Sequence, residues 1–175
     1  MKKILAILAF VGLIAPSVMA GGGIGAFGSY WKPKDEDDGK FGGGGKLNIG
    51  LTEYLAIDLR GSYYHYDNAD IIPGEAGLVI TIPINDVFMP YVGGGAGYYY
   101  VNITDDAMKE DVKAKAKVGF YGVGGIELGL GDSVALFGEA MYRFAKVDLE
   151  DKASGETVEE KLDGLVGNVG IKFKW

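Results

Sequence analysis

The sequence predicts an all-β protein, an eight-stranded antiparallel up-and-down transmembrane β-barrel. Three observations predict it. Apolar and polar residues alternate with period 2 in one segment after another, the pattern of strands with two unlike faces. The connections between these segments alternate between long and polar and short, as in barrels that span outer membranes. Beyond residue 20 no run of about 18 apolar residues occurs, so a transmembrane helix is not expected.

Composition narrows the alternatives. The chain has 175 residues, 30 of them glycine and none cysteine. Without cysteine there is no disulfide framework and no thiolate metal centre. The glycines follow no G-X-Y period, which excludes collagen. Aromatic residues make up 12%, including eleven tyrosines, too many for a disordered chain.

The first twenty residues, MKKILAILAFVGLIAPSVMA, read as a cleaved secretory signal peptide. Lys2 and Lys3 form the basic start, Ile4 to Ala15 the apolar centre, and Ala20 the small residue at the cleavage point. Residues 21–175 are then the barrel domain. Removing Lys2 and Lys3 leaves 15 basic and 24 acidic residues, a net charge of −9. Such a chain repels phosphate backbones, and no nucleic-acid partner is expected.

The strands are expected at 22–31, 41–51, 54–66, 75–84, 89–102, 116–128, 133–147 and 162–175. In the second, Leu47, Ile49 and Leu51 oppose Lys46 and Asn48. In the third, Leu55, Ile57 and Leu59 oppose Asp58, Arg60 and Ser62. The fourth sets Leu78, Ile80, Ile82 and Ile84 against Gly77 and Thr81. The fifth holds YVGGGAGYYYV, with Gly93, Gly95 and Gly97 inward, making room for long side chains, and Gly94 and Ala96 toward lipid. In the sixth, Val118, Phe120, Ile126 and Leu128 oppose Lys117, Tyr121 and Glu127. The seventh opposes Val134, Leu136, Tyr142 and Phe144 to Glu139 and Arg143. In the eighth, Leu165, Val169, Ile171, Phe173 and Trp175 oppose Asn168, Lys172 and Lys174.

Segments 32–40, 67–74, 103–115 and 148–161 are the long polar connections, and 52–53, 85–88 and 129–132 the short turns. Most acidic residues, Asp70 and Glu75 among them, fall in the long connections or at adjoining strand ends. Asp58, Glu127 and Glu139 are the acids assigned to strand interiors. Both termini then lie on the short-turn, periplasmic side.

Alternation alone does not separate a soluble barrel from a lipid-facing one; the placement of charge and aromatics does. One face carries Lys46, Asp58, Arg60, Lys117, Glu127, Glu139, Arg143 and Lys172 among glycines. Charges of both signs mixed with glycine fit a narrow lumen in which they pair, and eight strands leave little free bore. With three acids against five bases, a plug with some basic excess is expected. Aromatics cluster at both ends: Tyr30, Trp31, Tyr63, Tyr64, Tyr66, Tyr98, Tyr99, Tyr100, Tyr142 and Phe144 on the long-connection side, and Tyr54, Phe88, Tyr91, Phe173 and Trp175 on the other. Two girdles at headgroup level are expected of a membrane barrel. Tyr30, Tyr63, Tyr98, Tyr100, Tyr142, Phe173 and Trp175 are the interfacial candidates.

With the signal peptide, the eight strands, PYVGGGAGYY in the fifth and the closing GNVGIKFKW, the chain resembles the small outer-membrane β-barrel family, like the OmpA transmembrane domain and the OmpX proteins. The resemblance implies residence in the cell outer membrane among lipid and lipopolysaccharide. It implies recognition of the last strand by the barrel-assembly machinery; Trp175 stands where the family's usual final residue is Phe. It implies a monomer with a structural or cell-surface role in envelope integrity, adhesion or interaction. No cofactor and no catalysis are expected, and a peptidoglycan-binding domain after Trp175 is not expected.

Other motifs carry less. Gly23-Ile24-Gly25-Ala26-Phe27-Gly28 matches G-x-G-x-x-G, but no strand precedes it and no helix follows. His65 lies near Ser62 and Asp67, a lipid-hydrolase combination, yet strand parity points His65 to lipid and Ser62 to the lumen. Asp35-Glu36-Asp37-Asp38 lacks the calcium-loop pattern; a solvated rim is expected, or divalent bridges to lipopolysaccharide phosphate. Two further functions stay open: a small channel for apolar molecules in the manner of OmpW-like proteins, with a lateral gap between the glycine-rich first two strands, and a soluble lipocalin-like binding barrel.

Overall fold

The computed structural model describes residues 21–34, 38–66, 69–103, 112–115, 117–151, 157–161 and 163–175. The predicted signal peptide lies outside them. Among the described residues eleven strands form: β1 (Gly22–Pro33), β2 (Lys40–Gly50), β3 (Leu55–Tyr66), β4 (Ala69–Thr81), β5 (Phe88–Ile103), β6 (Val112–Lys115), β7 (Lys117–Gly129), β8 (Val134–Phe144), β9 (Lys146–Asp151), β10 (Thr157–Lys161) and β11 (Gly164–Lys174). Eight of them close a barrel in the order β1-β11-β8-β7-β5-β4-β3-β2, every pairing antiparallel. The barrel strands run 11 to 16 residues, enough to cross a bilayer when tilted.

Closure is made by the two ends of the chain. β1 pairs with β11 from Gly23↔Lys174 to Pro33↔Gly164. Gly22 N donates to Trp175 O and Trp175 N to Gly22 O, each at 3.2 Å. Closure gives each of the eight barrel strands a partner on both sides, which is what allows a sheet to stand in hydrocarbon.

Burial alternates strictly along β1 and β8. Ile24, Leu78, Ile80, Val92, Phe120, Leu136, Val169 and Ile171 stand exposed on the outside, while Lys46, Asp58, Arg60, Glu75, Glu139 and Arg143 are buried inside. This is the inverse of a soluble barrel and gives a lipid-facing exterior around a polar interior.

The short turns carry their own chemistry. Thr52 Oγ1 accepts hydrogen bonds from Tyr54 N (3.2 Å) and Leu55 N (3.0 Å) between β2 and β3. Asn85 Oδ1 does the same for Val87 N (3.0 Å) and Phe88 N (2.7 Å) before β5. Gly131 takes φ +94° between β7 and β8, a conformation glycine adopts without a steric penalty.

Several expectations are corrected. Residues 67–74 are not a long connection: β4 already begins at Ala69. Pro73 reads as a turn residue, yet it is fully buried in the wall. It keeps its place opposite Tyr99 on β5, whereas on the β3 side the register passes from Gly61↔Gly74 to Tyr64↔Ile71 and skips two pairs. A proline has no N–H to give the ladder, which accounts for a break at this point. The strand expected to run to residue 84 ends at Thr81. β1 and β2 pair without interruption from Gly22↔Ile49 to Trp31↔Lys40, so the lateral gap that would support the channel alternative is absent between them. The connections expected at 103–115 and 148–161 contain β6, β9 and β10, a three-stranded sheet in the order β10-β9-β6 on the long-connection side.

Candidate functional site: the filled lumen

Alternation sends the polar residues of the barrel strands inward, where they meet in three layers. The outermost is centred on Arg143 of β8. Its Nε donates to Glu75 Oε1 (2.8 Å) and its Nη2 to Glu75 Oε2 (3.0 Å), a two-pronged pair with β4. Tyr99 OH also donates to Glu75 Oε1 at 2.8 Å. The guanidinium lies over the rings of Trp31 (4.9 Å), Tyr64 (5.4 Å) and Tyr99 (6.0 Å), which adds cation–π attraction in a desolvated place. Ile71, Met141 and Val166 pack with these rings into an apolar cluster.

The middle layer is centred on Glu139, also of β8. Its Oε1 accepts from Arg60 Nη1 (2.6 Å) and Asn168 Nδ2 (2.8 Å); its Oε2 accepts from Tyr91 OH (2.6 Å) and Lys46 Nζ (3.1 Å). Arg60 and Asp58 are two apart on β3 and so share a face. Arg60 Nε donates to Asp58 Oδ2 at 2.7 Å, its Nη2 reaches the same oxygen, and Asn48 Nδ2 donates to Asp58 Oδ1 at 2.8 Å. Lys46 Nζ also lies 3.9 Å from the Phe137 ring centre.

A relay joins the two layers. Arg143 Nη1 donates to Tyr64 OH (3.1 Å), Tyr64 OH lies 2.6 Å from Ser29 Oγ, and Ser29 Oγ donates to Asn168 Oδ1 (2.5 Å). The single Ser29 proton is committed to Asn168, so Tyr64 is the donor to Ser29. The third layer, toward the end that carries both termini, is the Lys172–Glu127 ion pair between β11 and β7.

Among the described side chains the lumen therefore holds four cations, Lys46, Arg60, Arg143 and Lys172, and four anions, Asp58, Glu75, Glu127 and Glu139, each with an opposite charge in direct contact. Glu75, expected at the rim, is instead buried in the lumen and raises the interior acids from three to four. Lys117 opens β7, and its side chain lies outside the described part of the structure. Pairing answers the cost of burying charge, since each ion would be expensive alone.

Glycine makes the space. A Cβ on Gly125 would stand 2.6 Å from the Tyr91 ring and 2.8 Å from Glu139 Cβ; one on Gly97 would stand 2.8 Å from Glu75 Cγ. A cavity of about 50 Å³ lies between the middle and lower layers, lined by Lys46, Asn48, Tyr91, Glu127 and Lys172 among others.

The predicted interfacial aromatics Tyr30, Tyr63, Tyr98, Tyr100, Phe173 and Trp175 are exposed on the outer face, and Tyr142 is half-buried beside Phe144. Trp31, Tyr64 and Tyr91, grouped by position with the girdles, turn inward and are buried, while Tyr99, opposite in parity to Tyr98 and Tyr100, is buried in the lumen as that parity requires. Their parity relative to Tyr30, Tyr63 and Tyr98 carried that information. So did Val79 for Glu75, four residues away on the same face of β4.

His65 and Ser62 point to opposite sides of the wall. His65 Nδ1 lies 2.7 Å from Asp70 Oδ1, which also accepts from Tyr63 OH at 2.8 Å, while Ser62 is buried in the lumen. Asp67 lies outside the described residues, as do Asp35, Glu36 and Asp37. No group of three His, Asp or Glu among the described residues is arranged to hold a metal ion.

A closed eight-stranded antiparallel barrel with a lipid-facing exterior is the fold of the small outer-membrane β-barrels. In particular, the chain is similar to the outer membrane protein OprG of Pseudomonas aeruginosa, at 18% identity and TM-score 0.66 over 90% of this chain and 97% of that one. It is similar to the N-terminal β-barrel domain of OprF from the same organism, at 13% identity and TM-score 0.67 over 90% and 98%. It is also similar to Ail, the attachment invasion locus protein of Yersinia pestis, at 11% identity and TM-score 0.59 over 89% and 97%. No protein-family model and no curated protein matches the chain.

Proposed function

We propose that the chain is a plugged, non-catalytic barrel of the outer membrane with a structural or cell-surface role, in envelope integrity or in adhesion and interaction at the outer rim. The observation that carries this reading is the lumen, closed across three layers by matched ion pairs and aromatic rings. A pore needs a continuous polar path, and a cavity of about 50 Å³ holds no more than a few waters. Export through residues 1–20, a monomeric state and assembly through β11 complete the reading.

Planar-bilayer recording tests it. The purified barrel is expected to give no large stable conductance; a large, long-lived open state would overturn the plug. The non-catalytic part is tested by His65→Ala. Loss of a lipid A-processing activity present in the parent would overturn it.

One observation favours a second reading, a passage for small apolar molecules through the wall. The β3–β4 ladder is broken opposite Pro73, and a lipid-facing groove of about 790 Å³ lined by Gly61, Gly74, Ala76 and Ala96 adjoins it. Uptake of an apolar dye into vesicles, abolished when Gly61 and Gly74 are replaced by leucine, would favour that reading over the plug.

A further inference from the structure

The outer face of β1, β11 and β8 carries a groove of about 520 Å³ that the plug does not use. Its floor is made by Gly167 and Ala140, which are paired neighbours on β11 and β8. A Cβ on Gly167 would meet nothing within 4 Å, so no packing inside the protein calls for glycine there. Glycine weakens a strand, and its presence at this spot lowers the floor between two walls. One wall is Tyr30, backed by Phe41 with ring centres 5.0 Å apart. The other is Tyr142, backed by Phe144 at 4.7 Å. Tyr30 is the register partner of Gly167 across β1 and β11, and Tyr142 that of Leu165 across β8 and β11. The walls thus stand two strand spacings apart, about 10 Å.

The groove's upper end is cationic. Lys32 and Lys34 both line it and both are exposed. Lys32 follows Tyr30 on the same, outward face of β1, one step further toward the long-connection rim. Asp38, the described member of the acidic run that follows, does not line the groove. An apolar channel at acyl depth that ends in two ammonium groups at headgroup depth matches one kind of molecule, a lipid whose headgroup bears phosphate.

We propose that this groove docks a single phosphorylated lipid of the outer leaflet, lipid A being the occupant, with one acyl chain on Gly167 and Ala140 between the tyrosine walls and a phosphate between Lys32 and Lys34. The proposal rests on the barrel's place in the outer membrane and is independent of whether the lumen conducts.

Native mass spectrometry of the detergent-solubilised, folded barrel titrated with bisphosphorylated lipid A tests it, with phosphate-stripped lipid A as the second probe. The wild type is expected to hold one lipid A, at least tenfold more tightly than the stripped form. Lys32→Glu/Lys34→Glu removes the preference for phosphate. Gly167→Leu, which raises the floor, weakens both lipids. Lys174→Glu, on the opposite rim, changes neither. An unchanged affinity in the Lys32→Glu/Lys34→Glu variant overturns the proposal, as does equal binding of the two lipids by the wild type. A concentration-dependent dimer lost in Gly167→Leu also overturns it and gives the groove to a second copy of the chain. Should Gly167→Leu fail to fold, as read by its gel mobility before and after heating, the lysine pair decides alone.

Discussion

Replacing Glu139 with alanine removes the acceptor for four donors at once: Arg60 Nη1, Asn168 Nδ2, Tyr91 OH and Lys46 Nζ. Arg60 keeps its two-nitrogen grip on Asp58, so the loss falls mainly on Lys46, a buried ammonium left without a carboxylate. Removing one partner of a buried pair costs about 3–5 kcal/mol. An orphaned buried donor costs about 1–3 kcal/mol, and Asn168 and Tyr91 are two such donors, with some freedom to re-aim. We expect a total of about 5 kcal/mol. Urea unfolding in phospholipid vesicles measures it by tryptophan fluorescence, because Trp31 is buried against Arg143 while Trp175 sits exposed at the far rim. Adding Lys46→Met to Glu139→Ala should restore about 1–2 kcal/mol, since it takes away the cation that the first change stranded. A loss below about 1 kcal/mol for Glu139→Ala, or a double variant worse than the single one, would refute the view that this carboxylate is the centre of the plug.

The Lys172–Glu127 pair, nearer the end that carries both termini, is the least deeply buried of the lumen pairs, so Glu127→Gln should cost less than Glu139→Ala, about 1–3 kcal/mol, in the same unfolding experiment. Arg143→Lys keeps the charge but loses the two-pronged contact with Glu75 and the stacking on three rings; a loss of about 2 kcal/mol or more in urea is expected. Gly125→Val drives its Cβ into Tyr91 and Glu139 and should abolish the heat-modifiable gel shift of the folded barrel, whereas Gly122→Ala, with nothing within 4 Å of the new Cβ, should keep it. Tyr121 OH makes no hydrogen bond among the described residues, and Tyr121→Phe should fall within about 0.5 kcal/mol of wild type.

Much of the fold could be read locally. Leu47, Ile49, Lys46 and Asn48 carry their faces in their spacing, because a strand turns alternate side chains to opposite sides whatever lies around it. The inward placement of Asp58, Arg60, Glu139 and Arg143 follows from the same parity. The start of β4 is hidden in the sequence because Pro73 and Gly74 look like punctuation. In a closed wall, the pairing of Pro73 with β5 and the burial of Ile71 hold the strand together past a residue that has no N–H to donate. The same punctuation places Glu75 at the rim by sequence alone and leaves Arg143 without its partner.

Parity by itself therefore determined which residues face lipid and which face the lumen, and hence a charged interior inside an apolar shell. It did not determine which charge meets which. Glu139 contacts Lys46, 93 positions away, and Arg60, 79 away; Arg143 meets Glu75 across 68. Those pairings depend on how far each strand is staggered against the next when the ring closes, a property of the whole sheet. Only the tertiary structure could decide that, among the described side chains, four anions match four cations, and so that the space left by the glycines is filled.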